Sequence, residues 1–323
     1  MGDKLIRVKR VAAALGATLL TGVLTVTATG SGPADAAAKR RVPATTFTVS
    51  TFNVLGSSHT PVGGRRAPGT TRIVWANQLL EKHGVDVVGF QEMQAPQYTK
   101  FMQITSTVDP FTGMPVPSWG VYPGLSLRQR DSENSIAWRL SEFDLVQATT
   151  FTIPYFDGNA RAMPLVLLRE KSSGMMFWVM NVHNPADTKQ YRNQQKWRTI
   201  AKQVEATLNN QLLGTGLPRL FTGDMNERAT FYCTMKRSTA LRFAREGTYS
   251  NGVCDAMRPR AVDWISGAVK LRFSNYDEDR SALVAKTTDH PVLSTDVTMS
   301  ADKFPRSTST VAPVLPALAS YHP

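Results

Sequence analysis

Side chains that can bind a cation or a phosphate group follow most of the apolar, strand-like segments of this 323-residue sequence. These side chains are Asn53, Glu92, Asn181, His183, Asp224, Asn226, Asp263, Asp289 and His290. Each of them alone has an ordinary structural explanation, because an Asn after a strand commonly forms a turn and a single His is commonly structural. Ligand sites, however, gather where strand ends and their loops converge. The ordered set therefore indicates a site for a phosphate or a cation.

The order and spacing of these residues resemble the endonuclease/exonuclease/phosphatase superfamily, which has the DNase I-like fold. Successive anchors are 39, 91, 41, 39 and 26 residues apart along the series Asn53, Glu92, His183, Asp224, Asp263 and Asp289. The most specific pair of motifs is Gly-Asp-x-Asn, which ends at Asn226, together with Asp-His-Pro, which begins at Asp289. The segment 134–139 also resembles the strand that follows the metal-binding glutamate in that superfamily. The match extends over residues 46–299.

The resemblance implies hydrolysis of a phosphoester bond with a divalent metal, Mg²⁺ or alternatively Mn²⁺ or Ca²⁺. By this resemblance Glu92 is the principal metal ligand, Asn53 contacts the metal or a phosphate oxygen, and Asp289 contributes to the metal region. Few protein ligands are needed, since Mg²⁺ prefers oxygen ligands and keeps several of its waters.

The same resemblance gives catalytic roles to the late histidine and two aspartates. His290 is expected to act as the general base or to polarise the phosphate, and Asp263 is expected to orient its ring. Asp224 would align or deprotonate the attacking water. The sequence leaves open whether His290 or Asp224 is the base.

Three further residues are expected to contact phosphate oxygens, and they are Asn226, His183 and Asn181. Asn226 would donate to a non-bridging oxygen as negative charge develops there. One departure from the superfamily pattern follows His183, where Asn184 and Pro185 replace the leucine of many relatives. We therefore expect a differently shaped loop at this point.

Strand-like segments dominate the sequence, and helix-like segments separate them. Runs of β-branched and aromatic residues predict strands at residues 47–54, 86–90, 135–139, 143–152, 163–169, 175–182, 219–222, 262–265 and 292–299. Apolar residues at helical spacing predict helices at 71–83 and 187–213, and prolines and glycines predict a loop at 105–133. This order predicts an α+β fold of two packed β-sheets flanked by helices, which the resemblance makes a four-layer α/β/β/α sandwich.

The N-terminus has the pattern of a secretory signal peptide. Four basic residues between positions 4 and 10 precede an uncharged stretch from Val11 to Ala34, and small residues flank Asp35. The alternative is a retained membrane anchor, because these 24 uncharged residues are long enough to span a bilayer. We expect a signal peptide at 1–36, a linker at 37–45, the catalytic domain at 46–299 and a disordered tail at 300–323, and so a secreted protein.

The sequence contains two cysteines, Cys233 and Cys254. An exported protein meets an oxidising environment, which predicts a disulfide bond between them. Two unpaired, buried thiols are the alternative.

The composition indicates a folded, basic protein with an anionic partner. Hydrophobic residues make up 42% and charged residues 19%, which argues against wholesale disorder and coiled coils. The net charge is +12, and removal of residues 1–36, with four basic and two acidic side chains, leaves +10. Nucleic acid is therefore the first candidate substrate. The loop arginines expected to track its backbone are Arg65, Arg66, Arg128, Arg130, Arg258 and Arg260.

Two other functions remain open. A sphingomyelinase-like phospholipid phosphodiesterase would share the same catalytic set, but it would need an exposed apolar hairpin; the aromatic stretch Val116–Tyr122 is expected to pack on the fold instead. A non-catalytic surface or binding protein is the other alternative, and the completeness of the acidic and imidazole set argues against it. We expect a monomer that does not insert stably into a membrane once the signal peptide is removed.

Overall fold

The computed structural model describes residues 44–60, 63–268, 270–300, 315 and 317–323, so the predicted signal peptide lies outside the described residues. The strands are β1 (Thr45–Asn53), β2 (Val87–Gln91), β3 (Ser106–Val108), β4 (Pro115–Pro117), β5 (Trp119–Tyr122), β6 (Ser135–Arg139), β7 (Phe143–Pro154), β8 (Ala160–Glu170), β9 (Met176–His183), β10 (Arg219–Asp224), β11 (Leu241–Phe243), β12 (Thr248–Ser250), β13 (Val253–Asp255), β14 (Asp263–Ala268), β15 (Arg272–Asp279) and β16 (Val292–Met299). The helices are α1 (Gly69–Lys82), α2 (Ala95–Thr105), α3 (Gln129–Ser132), α4 (Gln195–Leu213), α5 (Ala229–Ser238) and α6 (Ala282–Thr287), and 3-10 turns occur at Ser57–His59 and Phe156–Gly158.

Two six-stranded sheets form the centre of the fold. The first has the order β15-β16-β1-β2-β6-β5 and the second the order β11-β14-β10-β9-β8-β7. Each sheet contains one parallel pair, β1 with β2 and β9 with β10, and its other neighbours are antiparallel. The predicted α+β class with two packed sheets is therefore confirmed.

Three apolar cores separate four layers. The alternation of side chains along β1 places Phe47 and Val49 between the two sheets and Phe52 against the helices of the first sheet. On the outer face of the first sheet lie α1 and α2, whose buried residues include Ile73 and Phe101. On the outer face of the second sheet lie α4 and α5, which pack against a separate apolar cluster. Each fully buried side chain of this size contributes about 2 kcal/mol.

Hydrogen bonds around Asn181 join the two sheets near the ends of their central strands. The Asn181 amide donates to the carbonyls of Phe90 at 2.7 Å and Ser135 at 3.2 Å, and its oxygen accepts from Gln91 at 2.6 Å and Thr222 at 3.2 Å. Only a glycine fits opposite this group, because a Cβ on Gly89 would lie 2.2 Å from Thr222 Oγ1. The contact therefore fixes how closely the sheets approach.

The long helix is shorter than its sequence pattern predicts. We expected residues 187–213, but α4 begins only at Gln195. Asp187 instead accepts hydrogen bonds from the Gln194 backbone at 2.8 Å and from Arg198 at 2.7 Å, and Asn193 has a left-handed backbone with φ of 58°. These contacts stabilise a loop in the polar segment 187–194, which precedes the first apolar residue of the helix at Trp197.

The segment predicted to be a loop contains regular structure. Residues 105–133 include the β3–β4 hairpin, the edge strand β5 and the short helix α3. The hairpin exposes four apolar side chains, and Phe111 at its tip is 93% exposed. Trp119 of β5, by contrast, is buried, as expected for the aromatic part of this stretch.

The end of the chain differs from the predicted disordered tail where it is described. Residues 301–314 and 316 lie outside the described residues, but 317–323 contact the second sheet and α4. The Tyr321 backbone donates to Thr152 at 2.7 Å, and Ala319 donates to Gln211 at 2.8 Å. In addition, the Tyr321 ring packs edge-on against Trp197. These specific contacts outweigh the proline- and alanine-rich composition. Across the described part of the chain, no helix is long and apolar enough to cross a membrane.

Candidate active site

The polar residues singled out in the sequence lie at one common end of the two sheets. Asn53 ends β1, and Glu92 directly follows its parallel neighbour β2. His183 and Asp224 end the parallel pair β9 and β10 and are paired in register. Asp263 begins the antiparallel strand β14, opposite Asp224. The two parallel pairs are the reason that residues far apart in sequence meet at one edge.

Asn53 links the carboxylates of the two sheets. Its Nδ2 donates to Glu92 Oε1 at 3.0 Å and to Asp224 Oδ2 at 3.1 Å, while its oxygen accepts from the Leu55 backbone at 3.0 Å. The side chain is completely buried. Asn53 therefore holds a fixed position between the two acids.

Glu92 projects from a constrained backbone. Its φ is 60°, a conformation that non-glycine residues rarely adopt and that commonly occurs at functional sites. Its second oxygen accepts from the Gly56 backbone at 2.9 Å and lies 3.5 Å from His59 Nδ1. Burial raises the pKa of Glu92, but His183 and the hydrogen bonds from Gly56 and Asn53 outweigh burial and leave the pKa below its ordinary value. Glu92 is therefore a charged, oxygen-donating group.

His290 lies between two carboxylates. Its Nδ1 is 3.1 Å from both oxygens of Asp263, and its Nε2 is 3.6 Å from Asp224 Oδ2. Burial lowers the pKa of His290, but Asp263 and Asp224 outweigh that effect and raise it to about 10. The ring is thus held as an imidazolium that can donate from Nε2.

His183 lies on the other side of the same Asp224 oxygen, with its Nε2 3.5 Å away. Burial lowers the pKa of His183, against the opposing effect of Asp224 and Glu92. Burial also raises the pKa of Asp224, and the two imidazoles oppose that rise. Asp224 is therefore a buried acid in contact with two histidines and one amide.

The predicted phosphate-binding residues have unequal access to the site. Asn226 lies beside Asp224, whose Oδ1 accepts from the Asn226 backbone at 2.9 Å, but its side-chain amide donates to the Asn184 carbonyl at 2.7 Å. Asn181 does not fit the expected role, because both ends of its amide are engaged between the sheets. A strand-end asparagine and an inter-sheet asparagine look the same in sequence.

The loop after His183 is anchored to α4. The Asn184 backbone donates to the Asp224 carbonyl at 2.9 Å, and the Pro185 carbonyl accepts from Arg198 at 2.8 Å. Asn184 itself is fully buried. The residues after His183, where this chain differs from the superfamily pattern, therefore connect this loop to α4.

A buried charged network supports the same loops from behind. Lys202 of α4 pairs with Glu227, the residue after Asn226, and Glu227 also accepts from Gln195 at 3.0 Å. Glu205, one turn along α4, is fully buried. Burial raises the pKa of Glu205 to about 8, so its carboxyl group is protonated at neutral pH. None of these residues stood out in the sequence, because charges on a helix ordinarily face solvent.

The donor set fits a hard divalent cation. Glu92 is charged and partly open to the cleft, whereas Asn53 turns its amide nitrogen toward Glu92 and its oxygen toward the Leu55 backbone. Asp224, Asp263 and His290 form a second group whose ligand atoms lie within 4.8 Å of one another, although His290 already faces Asp263. Asp289 is exposed and next to this group. The structure therefore contains acidic groups that could bind a metal, with the Glu92 carboxylate the better match for an oxygen-preferring ion; Asn53, expected to contact the metal, instead holds the carboxylates of Glu92 and Asp224.

A cleft of about 860 Å³ extends from Glu92 and His183. Most of its lining residues were not predicted from the sequence, among them His59, Tyr155 and Arg161. Arg161 bonds Glu133 at 2.5 Å and lies over the Tyr155 ring at 4.2 Å, and that ring packs edge-on against His183. No local sequence pattern distinguishes these residues, since each is a single side chain contributed by a different segment.

Solved structures with the same fold have low sequence identity to this chain. An endonuclease/exonuclease/phosphatase family protein from Bacteroides thetaiotaomicron has a TM-score of 0.59 at 17% identity, covering 81% of this chain and 98% of that one. A mannosyl-6-phosphatase from the same organism has a TM-score of 0.57 at 17% identity, covering 78% and 100%. The human Nocturnin catalytic domain with bound sulfate has a TM-score of 0.57 at 16% identity, covering 78% and 94%.

Sequence comparison adds nothing to this result, because no protein-family model matches the chain and a search of curated proteins finds no match. The structural similarity covers most of the chain and nearly all of each neighbour. The fold expected from the strand-end residues is confirmed: the chain has the endonuclease/exonuclease/phosphatase, DNase I-like fold.

Proposed function

We propose that the protein is a secreted phosphodiesterase that depends on a divalent metal and hydrolyses nucleic acid. One observation carries this proposal: Asn53, Glu92, Asp224 and the Asp263–His290 pair converge at one edge of the sheets, within hydrogen-bond or ion-pair distance of one another. A structural role alone does not explain three carboxylates collected in one buried place, because unneeded buried charge destabilises a fold.

The arrangement supports a specific division of labour. A divalent cation at Glu92, with Mg²⁺ the first choice, would polarise the phosphate and neutralise charge on its oxygens. Asp263 orients His290 so that Nε2 donates to a phosphate oxygen. Asp224 aligns the attacking water and accepts its proton, because the two carboxylates beside His290 favour its protonated form. His183 and Asn226 hold Asp224 and the neighbouring backbone in position.

Exposed basic residues, of which Arg128 lines the cleft, favour a polyanionic substrate. Arg65, Arg128, Arg258 and Arg260 are exposed, and the net charge of +10 expected after signal removal favours binding through counterion release. Arg66 instead donates to the Ala285 and Thr288 carbonyls, so its role is structural. The side chain of Arg130 lies outside the described part of the chain.

A phospholipid substrate is the second candidate, and the exposed β3–β4 hairpin is the observation that favours it. The hairpin exposes Val108, Phe111, Met114 and Val116. It follows α2, however, whose 11 residues extend about 16 Å away from the Glu92 end of the sheet. A hairpin inserted there would direct the site away from the bilayer, so nucleic acid ranks first.

Secretion is supported by two independent features. The N-terminal segment has the composition of a signal peptide, and Cys233 and Cys254 form a disulfide bond, with 5.8 Å between their Cα atoms. Disulfides are typical of proteins in oxidising compartments. The predicted pairing of the two cysteines is confirmed, whereas export itself stays a proposal. N-terminal sequencing of protein recovered from the culture medium would test cleavage near residue 36.

A substrate panel tests the activity. The purified chain is incubated with DNA, RNA, sphingomyelin and an aryl phosphomonoester, each with Mg²⁺ and with EDTA. We expect cleavage of a nucleic acid that EDTA abolishes. Release of phosphocholine without nuclease activity would identify a phospholipid as the substrate instead. No turnover of any substrate with any divalent metal would support a non-catalytic binding protein.

A further inference from the structure

The cleft beside Glu92 has the dimensions of a small-molecule site. Its volume is about 860 Å³, within the range of roughly 300–1,000 Å³ of sites that enclose small ligands. Glu92 and His183 are at the catalytic end, and Arg128 lies elsewhere along the lining. A cleft of this volume can accommodate a substrate unit the size of one nucleotide.

Two aromatic side chains form part of the cleft wall. The rings of Phe156 and Tyr191 both line the cleft and stack with centroids 4.3 Å apart and planes 4° apart. Both side chains are half-buried. The two rings cover each other's facing sides, and the Tyr155 ring lies 4.3 Å from Phe156, so Tyr191 is the ring on which a base can stack. An aromatic face binds unpaired bases in a sequence-tolerant way, because every base has a flat face.

The aromatic wall is held in place before any ligand binds. Phe156 belongs to a 3-10 turn and Tyr191 to the loop before α4, and reciprocal hydrogen bonds join these two segments. Gln194 Oε1 accepts from the Asp157 backbone at 3.0 Å, and Gln194 Nε2 donates to the Asp157 carboxylate at 3.0 Å. Gln194 is almost fully buried. Binding to this wall therefore requires little ordering of the loops.

The charges of the cleft differ from those of a surface that follows a duplex backbone. Its lining includes Asp131 and Glu133 as well as Arg128 and Arg161. The Glu133 carboxylate pairs with Arg161 at 2.5 Å. Because Glu133 and Arg161 pair with each other, this wall is not uniformly basic, and a base can use its carboxylates and amides as hydrogen-bond partners.

From this cleft we infer that the protein acts on unpaired nucleotides: the base stacks on Tyr191, which Phe156 supports from behind, while its phosphodiester lies at Glu92 and His183. The inference rests on the proposed phosphodiesterase function and adds the substrate class to it. It predicts a preference for single-stranded over duplex nucleic acid that depends on the aromatic wall.

The test compares a single-stranded oligonucleotide, the duplex of the same sequence, and a strand of the same length whose residues lack bases. With Mg²⁺, we expect kcat/KM for the single strand to exceed that for the duplex by about tenfold or more. Tyr191→Ala should lower kcat/KM on the single strand by about tenfold, mainly through KM, as expected for loss of one stacking partner. The same variant should cleave the baseless strand with the kcat/KM of the wild type.

Two variants control for folding and for general loss of aromatic surface. Tyr191→Phe should keep near wild-type kcat/KM, and Phe111→Ala, which removes an exposed ring from the distant hairpin, should have no effect. Equal cleavage of duplex and single strand would overturn the inference, as would an equal effect of Tyr191→Ala on the baseless strand.

Binding distinguishes failure of this inference from failure of the proposed function. Fluorescence anisotropy in EDTA measures affinity for the labelled single strand and duplex without turnover. We expect tighter binding of the single strand and about tenfold weaker binding by Tyr191→Ala. If no substrate is cleaved, this binding difference still supports the nucleotide site, and equal binding by wild type and variant overturns it.

Discussion

Glu205 provides a quantitative test of the buried network behind the site. Its side chain is fully buried in α4, near Lys202 and Glu227, and burial raises its pKa from 4.5 to about 8. Glu205→Gln replaces the protonated carboxyl group with a neutral group of the same shape. The perturbation therefore removes ionisation without creating a cavity.

The sign of the effect follows from the direction of the shift. Since the folded-state pKa is the higher one, the stabilising contribution of the protonated group is fully present below pH 4.5 and is lost as the pH rises through about 8. The complete loss corresponds to at most about 5 kcal/mol of unfolding free energy. Glu205→Gln should match the wild type near pH 5 and exceed its stability by several kcal/mol at pH 9.

Urea unfolding at pH 5, 7 and 9, followed by tryptophan fluorescence, measures this difference. Glu81→Gln is the matched control, because Glu81 is also a helical glutamate but its side chain is 53% exposed. The control should follow the wild-type curve at each pH. A constant difference between Glu205→Gln and wild type from pH 5 to pH 9 would refute the assignment of Glu205 as a buried, protonated acid.

Three further predictions concern the site and the stability of the fold. Asp263→Asn removes the charge that orients His290 and favours its protonated form, so we expect kcat to fall by about 10²- to 10⁴-fold and the unfolding midpoint at neutral pH to fall as well; a near wild-type kcat would contradict this role. Replacing Cys233 and Cys254 by serine opens a bridge between residues 21 positions apart and should lower the unfolding free energy by about 3 kcal/mol in chemical denaturation, whereas an unchanged value would contradict a stabilising bridge. Gly89→Ala forces a Cβ against the facing sheet and should cost about 1–3 kcal/mol, visible as a lower urea midpoint; an unchanged midpoint would show that the sheets can separate freely.

The fold and the position of the site could be predicted because they depend on the periodic spacing of apolar residues and on which residues stand at the ends of strands. Alternation along β1 directs Phe47 and Phe52 into different cores, and parallel neighbours carry Asn53 and Glu92 to the same edge. The order of the polar residues along the sequence therefore indicated that they meet at one site. The buried positions of α1, among them Ile73, followed in the same way from helical spacing.

The remaining features depend on contacts between distant segments, which no local pattern reports. Asn181 has the sequence context of a ligand, but its partners on the facing sheet occupy its amide. Arg161, near the start of β8, and His59, in a 3-10 turn, line the cleft only because the fold brings these distant segments together. Residues 187–194 are mostly polar and precede the first apolar residue of the helix at Trp197, and hydrogen bonds to Asp187 hold them as a loop. At these positions, contacts made in the folded structure thus outweigh the preference of the local sequence.

The central claim is that Glu92 holds the metal on which phosphodiester hydrolysis depends. Its most direct test is the rate of nucleic acid cleavage by Glu92→Gln in Mg²⁺, with the wild type measured in parallel in Mg²⁺ and in EDTA. The amide keeps the shape of the side chain but removes the charge, so we predict a loss of about 100-fold or more, with an unfolding midpoint close to that of the wild type. A correctly folded Glu92→Gln variant that cleaves at the wild-type rate would contradict the claim.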